Sequence, residues 1–406
     1  SDLIEAGAYP QWDLGVQVFP DTKEEMFEGI DLLDPTKLIP EELAPVEIIG
    51  TLTLNKNPGN YFEETEQVAF HPGHLVPGID VTNDPLLQAR LFSYLDTQIS
   101  RLGGPNFSQL PINRPHSPVN DNLRDGMYQQ AAHTGIAPYK PNSLDAGNPT
   151  ETPIDKGAFI DVPRPVEGHV TRQSPASFED HFSQARMFYL SLTETEKQHL
   201  IEAFSFELGK CYEEAIKLRY LDVLAHVDQE LAETVADNLG LPHPRQQEVP
   251  DASPSPALSQ LGKTWPIDGR RVAILINSDQ ELDGVGELLN DLFDAGAVPM
   301  VISTKGGTVS VDETEVSVSR TYLTARSIEF DAAVVLDPPH NSEVSTMLGE
   351  FERHKKAIVL ADSNASSALE YARVKTEQPG IVSVDSPRQA AEPIKKLLAS
   401  HRVWER

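Results

Sequence analysis

The sequence has a single cysteine, Cys211, among its 406 residues. One thiol cannot form an intrachain disulfide, and it cannot build a metal site that needs several cysteines. Cys211 stands in the helix-like stretch FELGKCYEEAIKL, which predicts a small core residue rather than a reactive thiol. The cysteine content therefore leaves the cellular compartment open.

Long apolar runs and positive charge are also lacking. No run approaches the roughly 20 apolar residues that a helix needs to cross a bilayer, and the first residues, SDLIEAGAYP, lack the regions of a signal peptide. The 33 Lys and Arg residues face 62 Asp and Glu residues, for a net charge of -29. Such a field repels nucleic acid and anionic membranes. We expect a soluble protein, extracellular or cytoplasmic, with neither of these as a partner.

What is present predicts several domains. With 39% hydrophobic and 23% charged residues, the composition is that of a globular protein, and the length exceeds one ordinary core. Residues 1–104 hold two β-like runs, WDLGVQVF and VEIIGTLTL, and a helix pattern from Pro85 to about Leu102 that Gly103 ends. Residues 105–177, rich in Pro, Asn, Asp and Gly, predict an extended segment wrapped over the surface.

The second half of the chain returns to regular patterns. Residues 178–241 are helical, with a capping box at Thr193 and Glu196 and a stop at Gly240. Residues 242–264 have the proline and serine content of a linker. In residues 265–406, buried-type strands alternate with helices, which predicts a doubly wound parallel sheet; the strand runs are RVAILIN, AVPMVIS, DAAVVLD and KAIVLAD.

The strongest chemical signal lies in DPLLQARLFSYLDTQISRLG, residues 84–103. Arg90 and Tyr94 are four residues apart, so on a helix the guanidinium can hydrogen-bond the phenol and favour its ionised form. A phenolate is a hard anionic ligand for ferric iron. Arg101 lies on the same face two turns later and could pair with a carboxylate. On spacing alone, a helix with an ordinary Arg and Tyr is the favoured alternative.

The stretch RLFSYLDTQISRLGGPNF resembles the proximal haem-binding helix of catalases. DLLDPTKLIPEE at 31–42, NPGNYFEETEQVAFHPGH at 57–74 and FSFEL at 204–208 also resemble the large-subunit branch of that family. The resemblance implies an enzyme that disproportionates hydrogen peroxide to water and oxygen, as a homotetramer with b- or d-type haem and its iron. It implies late strands of an antiparallel β-barrel, a wrapping segment and a helical domain, then an α/β flavodoxin-like domain of the class I glutamine amidotransferase type.

The resemblance also implies roles for individual residues. Tyr94 is the axial ligand of the haem iron, Arg90 donates to its phenolate, and Arg101 partners a propionate. Positions that line the haem edge in relatives match Leu86, Ser93 and Gln98.

In some relatives a histidine 23 residues before the axial tyrosine is joined covalently to the tyrosine Cβ, and that position here is His71. As a lone pair, His71 and His74 would be a weak metal signal, and a turn around Pro72 and Gly73 is favoured instead. The resemblance further implies that Asp84 supports Arg90 through a histidine elsewhere in the chain.

Two departures from the family limit what this chain is expected to do alone. The distal histidine and asparagine that handle peroxide come from an N-terminal part that the sequence does not include, so we expect that part of the same subunit as a partner. The last domain has no nucleophilic cysteine after KAIVLAD, and Gly284 and Gly286 do not fit a dinucleotide motif. The alternative function is a non-catalytic structural or chaperone-like fragment that acts through the flavodoxin-like domain.

Overall fold

The computed structural model describes residues 1–116, 123–133, 135–145, 150, 152–158, 160, 163, 169, 171–172, 174–277 and 283–406. These residues form two compact units. One unit contains Ser1–Val16, Val46–Asn57 and Ala185–Arg406, and the other contains Gln17–Pro45 and Pro58–Gln184.

A short helix and four strands precede the first long helix. They are α1 (Asp2–Glu5), β1 (Gln11–Val16), β2 (Met26–Phe27), β3 (Ile30–Asp31) and β4 (Glu47–Thr53). The two predicted strands, β1 and β4, form an antiparallel ribbon, with Gln11 opposite Thr53 and Val16 opposite Glu47. Large apolar side chains stay exposed on this ribbon, including Trp12, Leu14, Ile48, Ile49 and Leu52. A two-stranded sheet is at best marginally stable by itself.

Helix α2 (Pro85–Leu102) has the bounds that the sequence predicted. It begins where the Asp84 carboxylate accepts hydrogen bonds from the backbone N–H groups of Leu86 and Leu87, at 2.8 and 3.3 Å. It ends at Gly103, whose φ of 84° is the left-handed conformation that glycine adopts without steric cost. Between residues 105 and 182, the described residues form only 3₁₀ turns, which fits the predicted extended segment.

Four helices follow: α3 (Ser183–Ser191), α4 (Glu194–Gly209), α5 (Glu214–Ala225) and α6 (Gln229–Leu239). The predicted capping box is confirmed, because the Thr193 hydroxyl accepts from the N–H of Glu196 and the Glu196 carboxylate accepts from the N–H of Thr193. The expectation for Cys211 was wrong. Helix α4 ends at Gly209, a poor helix former, so Cys211 lies half-buried in the connection to α5.

The last domain is built on a six-stranded parallel sheet. Its strands are β5 (Arg271–Leu275), β6 (Val298–Ser303), β9 (Arg320–Thr321), β10 (Ala332–Val335), β11 (Ala357–Leu360) and β12 (Ile381–Ser383). A separate hairpin consists of β7 (Thr308–Val311) and β8 (Thr314–Ser317). The strand order is β12-β11-β10-β5-β6-β9, and every neighbouring pair is parallel.

Helices cover both faces of this sheet, as predicted. Alternate residues of β5 point to opposite faces: Val272 and Ile274 join one core, and Ala273 and Leu275 join the other. The first core includes residues of α7 (Val285–Asp294), the second includes residues of α8 (Ser342–Arg353) and α9 (Ala365–Tyr371), and α10 (Ala391–Leu398) packs in the first.

The beginning of α7 is capped from a distance. The backbone N–H groups of Gly284 and Gly286 both donate to the Asp312 carboxylate, which lies in the turn between β7 and β8. Burial alone would raise the pKa of Asp312. The hydrogen bonds from Gly284 and Gly286 contribute to a larger opposite effect, so the pKa lies below its usual value. No helix within the described ranges has the length and apolar character that crossing a membrane would require.

Candidate functional site

Arg90 and Tyr94 form the centre of the candidate site on α2. A terminal nitrogen of the Arg90 guanidinium donates to the Tyr94 phenol oxygen at 3.2 Å, and the guanidinium carbon lies 5.0 Å from the centroid of the tyrosine ring. Both side chains are half-buried. The spacing of four residues thus brings the two groups together as the sequence predicted.

Phe70 fixes the other side of the tyrosine. Its ring meets that of Tyr94 edge to face, with centroids 5.4 Å apart and planes inclined at 75°. The backbone carbonyl of Phe70 accepts a hydrogen bond from the amide of Gln98 at 3.1 Å, and Gln98 is only 5% exposed. A buried amide therefore holds the segment before His71 against α2.

Arg101 extends this network. Its Nε and one terminal nitrogen donate to the Gln98 side-chain oxygen, at 3.1 and 2.6 Å. Its terminal nitrogens also donate to the backbone carbonyls of Glu66 and Val68. A guanidinium carries five N–H groups, so these four hydrogen bonds leave one N–H of Arg101 for another acceptor.

His71 lies against the turn of α2 that precedes Tyr94. The N–H of Gly73 donates to its Nδ1 at 2.9 Å, so Nδ1 is an acceptor and the ring proton sits on Nε2, which is 2.9 Å from the carbonyl oxygen of Leu91. A Cβ at position 73 would lie 2.9 Å from the His71 ring and 3.2 Å from the Leu91 side chain. Glycine is required there because of this close approach.

The predicted turn at Pro72 and Gly73 is present, since the N–H of His74 donates to the carbonyl of His71 at 3.1 Å. The His74 ring stacks on that of His71 with centroids 4.8 Å apart. Burial and the neighbouring His71 lower the pKa of His74. Among the residues with described positions, no three His, Cys, Asp or Glu side chains are grouped to hold a metal ion.

Leu86 and Ser93 lie apart from this network, on exposed surface of α2. Leu86 is 53% exposed, and the same helix also exposes Phe92, Leu95 and Ile99. Four large exposed apolar side chains on the helix that carries Tyr94 are more than a water-facing helix needs, and they indicate a surface that another group covers.

Comparison with known proteins decides the family. The sequence matches the catalase family model over residues 1–146, and residues 175–239 match the family described as catalase-related immune-responsive. Residues 268–406 match the C-terminal domain found in long catalases.

Curated relatives align along the whole chain. Catalase HPII of Pseudomonas putida is 44% identical, in an alignment that covers 100% of this chain and 58% of the relative. Catalase of Alkalihalophilus pseudofirmus is 41% identical, with 100% and 60% covered, and Catalase-B of Dictyostelium discoideum is 40% identical, with 99% and 60% covered. This chain belongs to the catalase family.

Within the catalase family, the match to the long-catalase domain identifies the large-subunit branch. The chain spans 58–60% of the length of these three relatives. The catalase match over residues 1–146 contains α2 and the residues that pack on it, Phe70 and His71.

The sequence patterns did not indicate that Phe70 packs on Tyr94, nor that the Gln98 amide would hydrogen-bond the Phe70 carbonyl. Phe70 directly precedes His71 in the quoted stretch AFHPGH, so the residue next to a candidate histidine was an available signal. No local pattern pointed to the contact of Gln98, because its partner lies 28 residues away.

Proposed function

We propose that this chain supplies the proximal side of the haem site in a large-subunit catalase that disproportionates hydrogen peroxide to water and oxygen. The supporting observation is the half-buried Tyr94 phenol, which accepts from Arg90 and packs on Phe70 in a region that matches the catalase family. Tyrosine is the axial ligand type of catalase haem.

The chemistry of the donor set fits haem. Tyr94 provides an anionic oxygen, and a charged hydrogen-bond donor such as Arg90 stabilises a phenolate more than a neutral phenol. Phe70 on the ring prevents the tyrosine from turning away. When bound, haem supplies the iron redox chemistry by which one peroxide is reduced and another oxidised. The haem type, b or d, is left open by this donor set.

The remaining site residues divide into contact and positioning roles. Leu86 and Ser93 are exposed on α2 and available to contact the haem edge. Gln98 and His71 use their polar atoms within the protein, so we assign them to positioning α2 and the segment of Phe70. Arg101 keeps one N–H group for a propionate, and a bidentate pair would require it to release a backbone carbonyl.

The N-terminal part of the same subunit is the proposed partner that carries the distal histidine and asparagine. The ribbon of β1 and β4 supports this, because its exposed Trp12, Leu14, Ile48 and Leu52 offer apolar surface for further strands. The proposed assembly is a homotetramer, as the large-subunit resemblance implies.

The C-terminal domain is proposed to be flavodoxin-like and catalytically silent. Without the two-residue strand β9, the sheet order is the 2-1-3-4-5 order of that fold. The turn after β11 carries Asp362, Ser363 and Asn364 where amidotransferase-like enzymes have a cysteine. The alternative, a structural or chaperone-like role, rests on this same domain.

Haem spectroscopy separates the two functions. The chain is mixed with the N-terminal part of the subunit and haem, and the absorbance spectrum, haem content and peroxide turnover are recorded. A catalase predicts a Soret band, an iron–phenolate charge-transfer band and oxygen release. A mixture that forms a stable complex, yet stays free of haem, would favour the structural role. The N-terminal part mixed with haem in the absence of this chain is the control for haem uptake that does not depend on Tyr94.

A further inference from the structure

A second site is suggested by a cavity of about 620 Å³ at the end of α8. Helix α4 contributes Glu196 and His199 to its wall, and the C-terminal domain contributes the other lining residues. This volume lies in the range of small-molecule sites, roughly 300–1,000 Å³. The cavity is formed entirely by residues of the unit that does not contain Tyr94.

The cavity wall is rich in cationic and imidazole side chains, although the chain has a net charge of -29. These side chains are Arg326, Lys356, Arg402, His199, His354 and His401. Its two carboxylates are already engaged. Glu196 accepts from the N–H of Thr193 in the capping box, and Glu350 accepts from the Ser327 hydroxyl at 2.6 Å.

The cations are bonded mainly to neutral carbonyl groups. Lys356 is only 4% exposed, and its ammonium donates to the carbonyl of Ser327. Arg326 donates to the carbonyls of Leu323 and Ala325. Arg402 lies 3.7 Å from the carboxylate of Asp331, which also acts on Lys356 together with Glu350, and Glu343 interacts with Arg326, but Arg326 and Lys356 form no ion pair within 4 Å among the described residues. Burying a charge is costly unless an opposite charge offsets it.

The titration of the cluster agrees with an excess of positive charge. Burial and then Arg402 lower the pKa of Lys356 to about 8. Burial lowers the pKa of His401 to about 4, with Arg402 and Arg270 as further causes. Burial lowers the pKa of His354, and the neighbouring Arg353, His199 and Lys356 lower it further. Asp331 and Glu350 oppose these shifts without cancelling them, so the neighbouring cations still disfavour one another's charged forms, and a bound anion would offset that repulsion.

We propose that this cavity binds a small molecule through an oxyanion group, a phosphate or a carboxylate, held by Lys356, Arg326 and Arg402. Guanidinium and ammonium groups are the usual partners of both anions. The cavity is larger than a free anion, and Trp404 and the exposed Ile328 form an apolar part of its wall for the remainder of the molecule. The site is independent of the proposed haem chemistry.

Isothermal titration calorimetry of the chain tests this, with orthophosphate and succinate as probes at constant ionic strength and sodium chloride as reference. We expect saturable binding of at least one probe, and the stronger probe distinguishes phosphate from carboxylate ligands. Titration in two buffers of different ionisation enthalpy should show net proton uptake, because the anion favours the charged forms of His354, His401 and Lys356.

Two variants and one control complete the design. Lys356→Met and Arg326→Gln should each weaken binding on the order of tenfold, the effect of losing one charged hydrogen bond. Arg326 is exposed, so its variant keeps the test valid if Lys356→Met fails to fold. Arg388→Gln is the control, since Arg388 pairs with Asp283 and Glu287 away from this cavity. Binding no tighter than chloride, or equal in Arg326→Gln and the parent chain, would overturn the proposal.

Discussion

The guanidinium of Arg90 lies over the ring of Tyr94 and donates to its phenol oxygen at 3.2 Å, with its carbon 5.0 Å from the ring centroid. One cation thus contacts both the face and the oxygen of the tyrosine. With the Phe70 ring packed edge to face on the same tyrosine, the direction of the phenol oxygen is set before any ligand arrives. Such preorganisation lowers the cost of ligand binding.

Tyr94→Phe should abolish the iron–phenolate charge-transfer band of the assembled enzyme and reduce peroxide turnover at least a hundredfold, because the anionic axial ligand is lost. Absorbance spectroscopy and oxygen release measure both effects. The matched control is Tyr61→Phe, which alters an exposed tyrosine that is 63% accessible. Retention of the parent haem content and an unchanged spectrum in Tyr94→Phe would show that another residue ligates the iron.

Gln98→Leu should lower the free energy of unfolding by about 1–2 kcal/mol, because the hydrogen bonds of the buried Gln98 amide to the Phe70 carbonyl and the Arg101 guanidinium are lost, at about 0.5–1.5 kcal/mol each. Urea denaturation of the chain measures this loss. Gln88→Leu on the same helix is the control: Gln88 is exposed, and its one side-chain hydrogen bond, to the carbonyl of Thr82 at 2.7 Å, is open to replacement by water, so we expect a change within about 0.5 kcal/mol. If the two substitutions change the free energy of unfolding equally, Gln98 has no special role in positioning α2.

The resemblance leaves open a covalent bond between His71 and Tyr94, because only part of the large-subunit branch carries it. His71 lies beside the helical turn before Tyr94, but both its ring nitrogens are hydrogen-bonded, so forming the bond requires one of these contacts to break. Peptide mapping by mass spectrometry of active enzyme decides the question: joined peptides would show the bond, and the Tyr94→Phe protein provides the unlinked reference. Separate recovery of both peptides at unmodified mass from active enzyme would exclude the bond.

The sequence correctly predicted the helix boundaries that are set by residues at the helix ends themselves. The bounds of α2 followed from the helical pattern that begins at Pro85 and from Gly103, and the start of α4 followed from the Thr193 and Glu196 capping box. The four apolar runs of the last domain were correctly predicted as parallel strands. The short edge strands β9 and β12 and the hairpin of β7 and β8 were missed, because two to four residues give little periodic signal.

The sequence predicted the contacts that lie within helix α2, but it did not predict the contacts that other segments make with that helix. The spacing of Arg90 and Tyr94 predicted their contact, whereas the carbonyl partners of Arg101 lie 33 and 35 residues earlier in the chain. The cationic cavity joins α4 to the C-terminal tail across some 200 residues, from His199 to Arg402. Contacts of this kind depend on tertiary packing, which no single segment encodes.

Removing residues 265–406 should lower the thermal midpoint or weaken subunit association, while the remaining folded enzyme keeps its haem and most of its turnover per haem. The reason is that the deleted domain contributes a large apolar core, and Tyr94 belongs to the other compact unit. Calorimetry, analytical ultracentrifugation and turnover per haem measure these effects. A loss of haem from a variant that stays folded, or hydrolase activity in the isolated domain, would contradict the silent role.

Stability should fall as pH drops from about 6.5 to 4, in part because of His401. Burial and the neighbouring Arg402 and Arg270 lower the pKa of His401 to about 4 in the folded chain. The unfolded chain, with an ordinary histidine pKa of 6.5, therefore binds the proton at a higher pH, which favours unfolding as the pH falls. His401→Asn should make the pH dependence in this window shallower. Asparagine is chosen because His401 has a φ of 63°, a left-handed conformation that asparagine tolerates.

The control for this experiment is His243→Asn. Asp237 raises the pKa of His243, which is fully exposed, so its small contribution has the opposite sign and is lost as pH rises. Urea midpoints at pH 4, 5, 6 and 7 compare the three proteins. If the urea midpoint of His401→Asn falls with decreasing pH as steeply as that of the parent chain, other groups cause the loss of stability in acid.

The Asp312 carboxylate lies at the N-terminus of the first long helix of the C-terminal domain. In nucleotide-binding folds the N-terminus of the helix after the first strand receives a phosphate. Here the amides of Gly284 and Gly286 are occupied by Asp312, an anion tethered to the same chain. A tethered group competes at an effective concentration on the order of millimolar, and a phosphate at that position would first have to displace the Asp312 carboxylate. The chain carries its own competitive inhibitor of phosphate binding at that position.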